Sequence, residues 1–273
     1  MKSVILSLLG LFVLNSTFAQ KATPVLARVT YVYTNQNDTL KNGKPKTENM
    51  MLFLGKDASL YVSYSKIRAA INLDQKVRSM MNNTHKTTIS VDVSALDQAN
   101  QASYFAYPAE DKYYTKETVD AQDYLIEEPA PIIDWEITKD TLSFSGINCQ
   151  KAIGSFENKK WIAWFAPSLP FSSGPYKFHN LPGLVVEAYD EDKRISYSFG
   201  GIDNAKENAV KRLVDVTKKM TAEPGVINPV DLMMGRDVAN AYFENIIKLP
   251  YSIVKTTKEK LTKFKSSLKE AEN

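Results

Sequence analysis

The sequence predicts a β-rich α+β fold: a curved antiparallel sheet, half-barrel or sandwich-like, carrying two or three helices. Three observations lead there. Short runs of alternating apolar and polar residues recur along the chain between Gly, Pro, Asn and Asp turns, and nothing alternates strand with helix in the way a parallel sheet requires. Helical spacing is confined to residues 66–81, 229–247 and a basic stretch after Pro250. A segment at residues 166–183, with prolines at 167, 170, 175 and 182, joins two strong strand signals. It cannot be helical, because each proline fixes its own φ and biases the residue before it toward extended geometry.

In chain order, Met1-Lys2, the apolar run Val4–Leu14 and Thr17-Phe18-Ala19 read as a secretory signal over residues 1–19. The run is too short to span a bilayer, and no later apolar run is long enough for a membrane helix. No cysteine lies near the cut, which argues against a lipoprotein anchor, so the periplasm or the extracellular space is the expected destination. One domain is expected over residues 20–249, followed by a basic helical or frayed tail over 250–273.

Within the domain, Ala27–Thr34 alternates, with Val29, Tyr31 and Tyr33 on one face, and residues 35–47 form a polar connection. Met50–Leu54 and Ser59–Tyr64 make a hairpin around Gly55-Lys56-Asp57. Residues 66–81 change period: Ile67, Ala70, Ile71, Val77 and Met80 form a helical stripe behind Ser65 as a cap. Short strands follow at Ser103–Tyr107, Lys112–Thr118, Asp123–Glu127, Ile132–Thr138 and Thr141–Ser145, the last two divided by a tight turn at Lys139-Asp140. Ile147–Phe156 and Trp161–Phe165 pair across Glu157–Lys160, where Asn158 tolerates positive φ. Gly183–Tyr189 and Arg194–Phe199 pair across Asp190–Lys193, an acidic turn without the spaced ligands of a calcium loop.

Ala209–Lys218 is a candidate last strand. Asn228 caps a helix that carries Pro229 in its first turn and a stripe including Val230, Met233, Val238, Tyr242 and Ile246, ending before Pro250. Beyond it, Leu261, Phe264 and Leu268 form a thin apolar line in a Lys-rich stretch.

The centre of the pattern is residues 149–189. In the strand Trp161–Phe165, Trp161, Ala163 and Phe165 point one way and Ile162 and Trp164 the other, so both faces are apolar. The proline-stiffened loop that follows is of a length uncommon in compact domains unless it has a role. These features mark Trp161, Trp164, Phe171, Tyr176, Phe178 and His179 as candidate ligand-binding residues. Leu181, Pro182, Gly183 and Leu184 form a structural motif at the loop's landing on its strand. At Gly183 the extended loop meets a buried strand with little room for a side chain, so valine there is expected to destabilise the fold.

The ordered set of CQKA at residues 149–152, the Ala163-Trp164 pair, the Gly174-Pro175 pair and NLPGLV at residues 180–185 resembles the GLPGLI family of secreted Bacteroidetes proteins. The resemblance covers the chain from the early strands to about Gly201. Two of the six name-motif positions differ here, Asn180 for Gly and Val185 for Ile; Asn suits the same backbone if that position needs positive φ. The family has no established activity, so the resemblance implies secretion and brings no catalytic residue with it.

Other chemistry is lacking. Two histidines, His85 and His179, stand in unrelated contexts, so no metal site is expected. No nucleophile elbow, phosphate-cradling loop or dinucleotide fingerprint is present, and no cofactor is expected. Cys149, the single cysteine, reads as a small buried hydrophobe with no His or basic cluster to activate it. A formal charge of +3 on 273 residues gives no reason to expect nucleic acid as a partner.

The residues therefore favour an exported, non-enzymatic binding or interaction protein of the cell envelope. Its expected partner is an apolar, peptide or glycan ligand, or an envelope protein, held in an aromatic-lined groove under the 166–183 loop. The alternative is a hydrolase-like enzyme using paired carboxylates near the same groove, with Glu127, Glu128, Asp134 and Glu136 as candidates. A third reading is a structural envelope component recruited through its basic tail.

Overall fold

A computed structural model describes residues 22–39, 43–67, 102–120, 122–204, 246–250 and 253–271. The predicted signal at 1–19, most of the helix at 66–81, His85, the strand at 209–218 and all but the last two residues of the helix at 229–247 lie outside the described residues.

The protein is β-rich, with two sheets and little helix among those residues. Its strands are β1 (Thr23–Pro24), β2 (Ala27–Thr39), β3 (Pro45–Leu54), β4 (Ser59–Ser63), β5 (Ala102–Tyr107), β6 (Lys112–Val119) and β7 (Gln122–Pro129). There follow β8 (Glu136–Phe144), β9 (Ile147–Phe156), β10 (Lys159–Ala166), β11 (Leu184–Asp190), β12 (Ile195–Asn204), β13 (Ile246–Ile247) and β14 (Val254–Thr256). The large sheet has twelve strands in the order β14-β7-β6-β5-β4-β3-β2-β12-β11-β10-β9-β8, and β1 pairs with β13 in a second, two-stranded sheet. Nearly all neighbours in the large sheet are consecutive in the chain, as expected of hairpins built from short alternating segments.

Several expectations give way to the observed pairing. Residues 35–39 and 45–47, read as a connection, continue β2 and β3 as an exposed polar ribbon from Asn35↔Lys46 to Thr39↔Pro45; backbone ladders need no apolar side chains. The turn expected at Lys139-Asp140 is instead an irregularity within β8, where the register on β9 shifts between Ile137 and Thr141. The strand expected from Ile132 begins only at Glu136.

A helix does start after β4, but its cap is Ser63, whose Oγ accepts the Lys66 N–H at 3.3 Å, and not Ser65. Ile246, counted in a helical stripe, lies in β13 with Ile247, two β-branched residues opposite Pro24 and Thr23. The sheet is not wholly antiparallel, because β14 adds to the edge strand β7 in parallel. Beyond it the C-terminal helix (Lys258–Ala271) buries Leu261 and sets the Phe264 ring 6.0 Å from that of Tyr124 on β7.

Both faces of the large sheet are packed. On one face Val29, Tyr31, Leu52, Tyr61, Trp161, Ala163, Phe165 and Tyr197 form a continuous cluster that also takes in Phe178 and Leu181 of the loop. On the other, Phe53, Leu60, Val62 and Phe105 pack at the β3–β7 end, while Cys149, Trp164 and Val186 pack at the β8–β12 end. The period of two along each strand produces this division directly.

Candidate functional site

The hairpin β9–β10 turns on Glu157 and Asn158, both with positive φ (+50° and +58°), as a two-residue loop matched to strand twist requires. β10 then carries Trp161 onto the loop-covered face, where its Nε1 donates to the Phe156 carbonyl at 3.1 Å.

The chain leaves β10 at Ala166 and crosses back as residues 167–183. Its backbone is tied by Leu169 N–H to Ala166 O, Leu184 N–H to Leu169 O and Val185 N–H to Ser173 O. Side chains pin it to four other places. Ser173 Oγ meets Ser59 Oγ at 3.1 Å, and Trp135 Nε1 donates to His179 O at 2.9 Å. Lys177 Nζ donates to Glu128 at 2.7 Å, and the Tyr176 hydroxyl donates to Glu157 at 2.8 Å. Phe178 is fully buried, its ring 4.8 Å from that of Trp161. Asn180 has φ +65°, the left-handed conformation that Asn shares with Gly.

Between the Tyr176 end of this loop, the β9–β10 turn and the sheet lies a cavity of about 210 Å³. Tyr33, Tyr61, Tyr104, Tyr176, Tyr197 and Trp161 wall it, Met50 and Ile195 fill between them, and the exposed Glu157 and Lys159 stand at its open end. The rings support one another: Tyr104 meets Tyr176 edge-on at 4.8 Å, and Tyr61 lies 6.3 Å from Tyr31, Tyr104 and Tyr197 alike. Burial pushes the hydroxyls of Tyr61, Tyr104, Tyr176 and Tyr197 well above the ordinary phenol range, so the walls are uncharged at neutral pH.

Tyr176 has φ +57°, which for a bulky residue is a strained conformation costing about 1–3 kcal/mol. Its hydrogen bond to Glu157 and its contacts with Tyr104 hold it there.

Of the residues singled out in the sequence, Trp161 and Tyr176 line the cavity, Phe178 backs Trp161, and Phe171 packs on the edge of the same cluster. Trp164 faces the opposite side of the sheet, where its Nε1 reaches the Tyr189 hydroxyl at 3.4 Å. His179 is buried against the Tyr113 ring, with Nδ1 2.9 Å from the Lys177 carbonyl, so the neutral ring carries its proton there. Burial lowers its basicity. Leu181 and Leu184 are buried at the loop's landing.

The tyrosines of β2, β4, β5 and β12 were not singled out, although Tyr33 was placed on the right face. The alternation in each strand was a usable signal; the pairing that gathers four strands at one spot was not. The carboxylate candidates sit elsewhere: Glu128 holds Lys177 and accepts from Thr115, and Glu127 pairs with Lys112 at 3.6 Å. Burial, and then the Glu187 carboxylate, push the Cys149 thiol up to about 11, so it is not an activated nucleophile.

A family model described as a protein of unknown function (Porph_ging) matches residues 148–187, from β9 through the loop into β11. No curated protein matches the chain in sequence. Two solved structures resemble the fold. The structure of PNGF-II in the C2 space group superposes with a TM-score of 0.50 at 11% identity, covering 88% of this chain and 32% of that one. The P21 form gives 0.46 at 13% identity, covering 67% and 29%. This chain thus spans about a third of the length of the solved chain it matches, and at such identities the likeness concerns the fold alone.

Proposed function

We propose that this chain is an exported, non-enzymatic binding protein of the cell envelope, with its ligand seated in the tyrosine-walled cavity under the 167–183 loop. The observation that carries the reading is that cavity: six aromatic side chains from six separate segments meet around about 210 Å³ of space, and one of them, Tyr176, is strained into place. Small-molecule sites are concave and lined largely by aromatic and apolar side chains with a few placed polar groups. The tyrosine and tryptophan rings here supply the first, while their hydroxyls, Glu157 and Lys159 make the lining more polar than is usual. Strain persists where surrounding contacts over-determine it, and it gathers at such sites.

A sheet that curves toward this face supports the reading. Tyr61 and Tyr197 sit on β4 and β12, three strands apart, which is about 14 Å in a flat sheet at ~4.8 Å per strand; their rings are 6.3 Å apart. The signal-like start of the sequence supports export. The match over residues 148–187 and the LPGL residues 181–184 are in keeping with membership of the GLPGLI group. Binding is preferred to hydrolysis because Glu157 is the only carboxylate lining the cavity among the described residues, and it is engaged by Tyr176.

The test is a ligand screen by thermal shift, with hits repeated on Trp161→Ala and Trp164→Phe. A ligand that binds the native state raises the melting temperature in proportion to its saturation. The shift is expected to vanish in Trp161→Ala and to survive in Trp164→Phe. Loss in Trp164→Phe with retention in Trp161→Ala would move the site to the other face.

A further inference from the structure

His179 is 2% exposed, and its two ring nitrogens are treated differently. Nδ1 donates to the Lys177 carbonyl at 2.9 Å, while Nε2 is buried with no hydrogen-bond partner among the described residues. A neutral ring fits this setting, because Nε2 then brings only a lone pair into the core. An imidazolium does not: Nε2 would carry a proton with nothing to receive it, and the ring a charge with no counter-ion in contact.

The groups that face the ring do not accommodate the charged form. From β6 comes the Tyr113 ring, 5.1 Å away and itself kept uncharged by burial. Asp111, just before that strand, is exposed; its carboxylate favours a charged ring without reaching Nε2. Within the loop Lys177 offers its carbonyl, and its ammonium is committed to Glu128 of β7 at 2.7 Å. Trp135, ahead of β8, donates to the His179 carbonyl and does not titrate. Burial outweighs these influences and lowers the ring's basicity.

The stretch that His179 fastens is the one that closes the cavity. Tyr176, in its strained conformation at φ +57°, walls that space, and Phe178 lies between the two with its ring 4.8 Å from Trp161. Three side-chain fastenings hold these residues down: the His179 ring, the Lys177–Glu128 ion pair and the Trp135 hydrogen bond. Glu128, despite its burial, is held below its ordinary 4.5 by Lys177 and Thr115, so its pair survives mild acid. The histidine is the fastening that mild acid reaches.

We propose that residues 176–179 form an acid-operated clamp on the cavity: on taking up a second ring proton His179 leaves its place against Tyr113, the strain at Tyr176 relaxes, and the Tyr176 wall opens with the Lys177–Glu128 pair as its remaining tether. This deepens the binding reading above, on which its use depends, by naming how access to that site is regulated. The sign follows from the burial of the neutral ring. A closed-state pKa below the open-state value makes closure firmest above about pH 6.5, the ordinary histidine value, and weaker as the pH falls from there through the closed-state value. One proton is taken up, so the ratio of open to closed loop grows by up to about tenfold per pH unit within that window.

The experiment labels the folded chain with 5-fluorotryptophan and follows its three tryptophan signals by fluorine NMR from about pH 7.5 to about pH 5. His179→Asn, which keeps a donor for the Lys177 carbonyl, and His179→Phe are run alongside; neither can take a proton. The Trp135 and Trp161 signals are expected to move with a one-proton profile, Trp164 on the other face to stay fixed, and both variants to be flat. A flat wild type, a wild-type response surviving in either variant, or all three tryptophans moving together would overturn the clamp. Should neither variant fold, the wild-type His179 ring is titrated by proton–carbon NMR. Its midpoint must coincide with that of Trp161 and lie below about 6.5, and a midpoint elsewhere rejects the proposal. Opening is read with no ligand present, so a clamp that fails leaves binding to the thermal-shift screen, and a screen that finds nothing leaves the titration standing.

Discussion

The loop at 167–183 and the strand β8 reverse the usual relation between regularity and burial. The loop contains no regular strand, yet Phe178, His179 and Leu181 within it are 2% exposed or less. β8 is a nine-residue strand, yet most of it faces solvent, with Ile137 and Leu142 45% and 49% exposed. Backbone hydrogen bonds can be satisfied in either setting. What separates the two regions is how much each side chain gives up to the core. Stability should therefore be concentrated in the irregular segment, and three measurements probe that.

The largest effect is expected at the loop's end. Gly183 has φ +152°, a conformation L side chains rarely adopt, and a Cβ there would overlap the Ala166 carbonyl, lying 2.6 Å from its carbon. Gly183→Val should destabilise by about 3 kcal/mol, combining backbone strain with a steric clash. Urea unfolding measures it, and an unchanged midpoint would show that the junction is loose.

Acid should loosen the loop next. Burial alone would raise the Glu128 carboxyl, but hydrogen bonds and charge from Lys177, with Thr115, outweigh it and hold it below the ordinary value of 4.5. A depressed folded-state pKa gives stability that is present above the unfolded value and is lost as pH falls through the folded one. The melting temperature of wild type should therefore exceed that of Glu128→Gln at pH 7, and the gap should close below about pH 4.5. A gap that stayed constant into acid would mean that the ion pair adds nothing. The smallest effect is expected on the other side of the comparison: Leu142→Thr in β8 should change stability by no more than about 0.5 kcal/mol, read from the same urea curves. A larger loss would show that β8 is packed against something.

Much of this contrast was legible beforehand, and the reason is local physics. Alternation of two located most strands, and Asn158 announced the hairpin whose turn residues both have positive φ. The prolines announced an ordered, non-helical crossing. The same alternation placed Trp161 and Trp164 on opposite faces but gave no means of choosing between them, because the loop's landing place is a long-range contact. Tyr33, Tyr61, Tyr104 and Tyr197 come from strands far apart in the chain, and only register brings them together. His179 is a related case: nothing in its local sequence says that its ring will end against Tyr113, under cover.

The final strand has a consequence for the basic C-terminal stretch, which the sequence presents as a detachable appendage. β14 runs alongside Tyr124–Ile126, and the helix after it fastens Phe264 to Tyr124 and Lys265 to Glu117. Trimming the chain after Pro250 would bare that border of β7 and leave unshielded amides open to pairing with any passing strand. The lysines in this stretch therefore ride on a segment that seals one margin of the sheet and helps keep separate copies of the molecule apart.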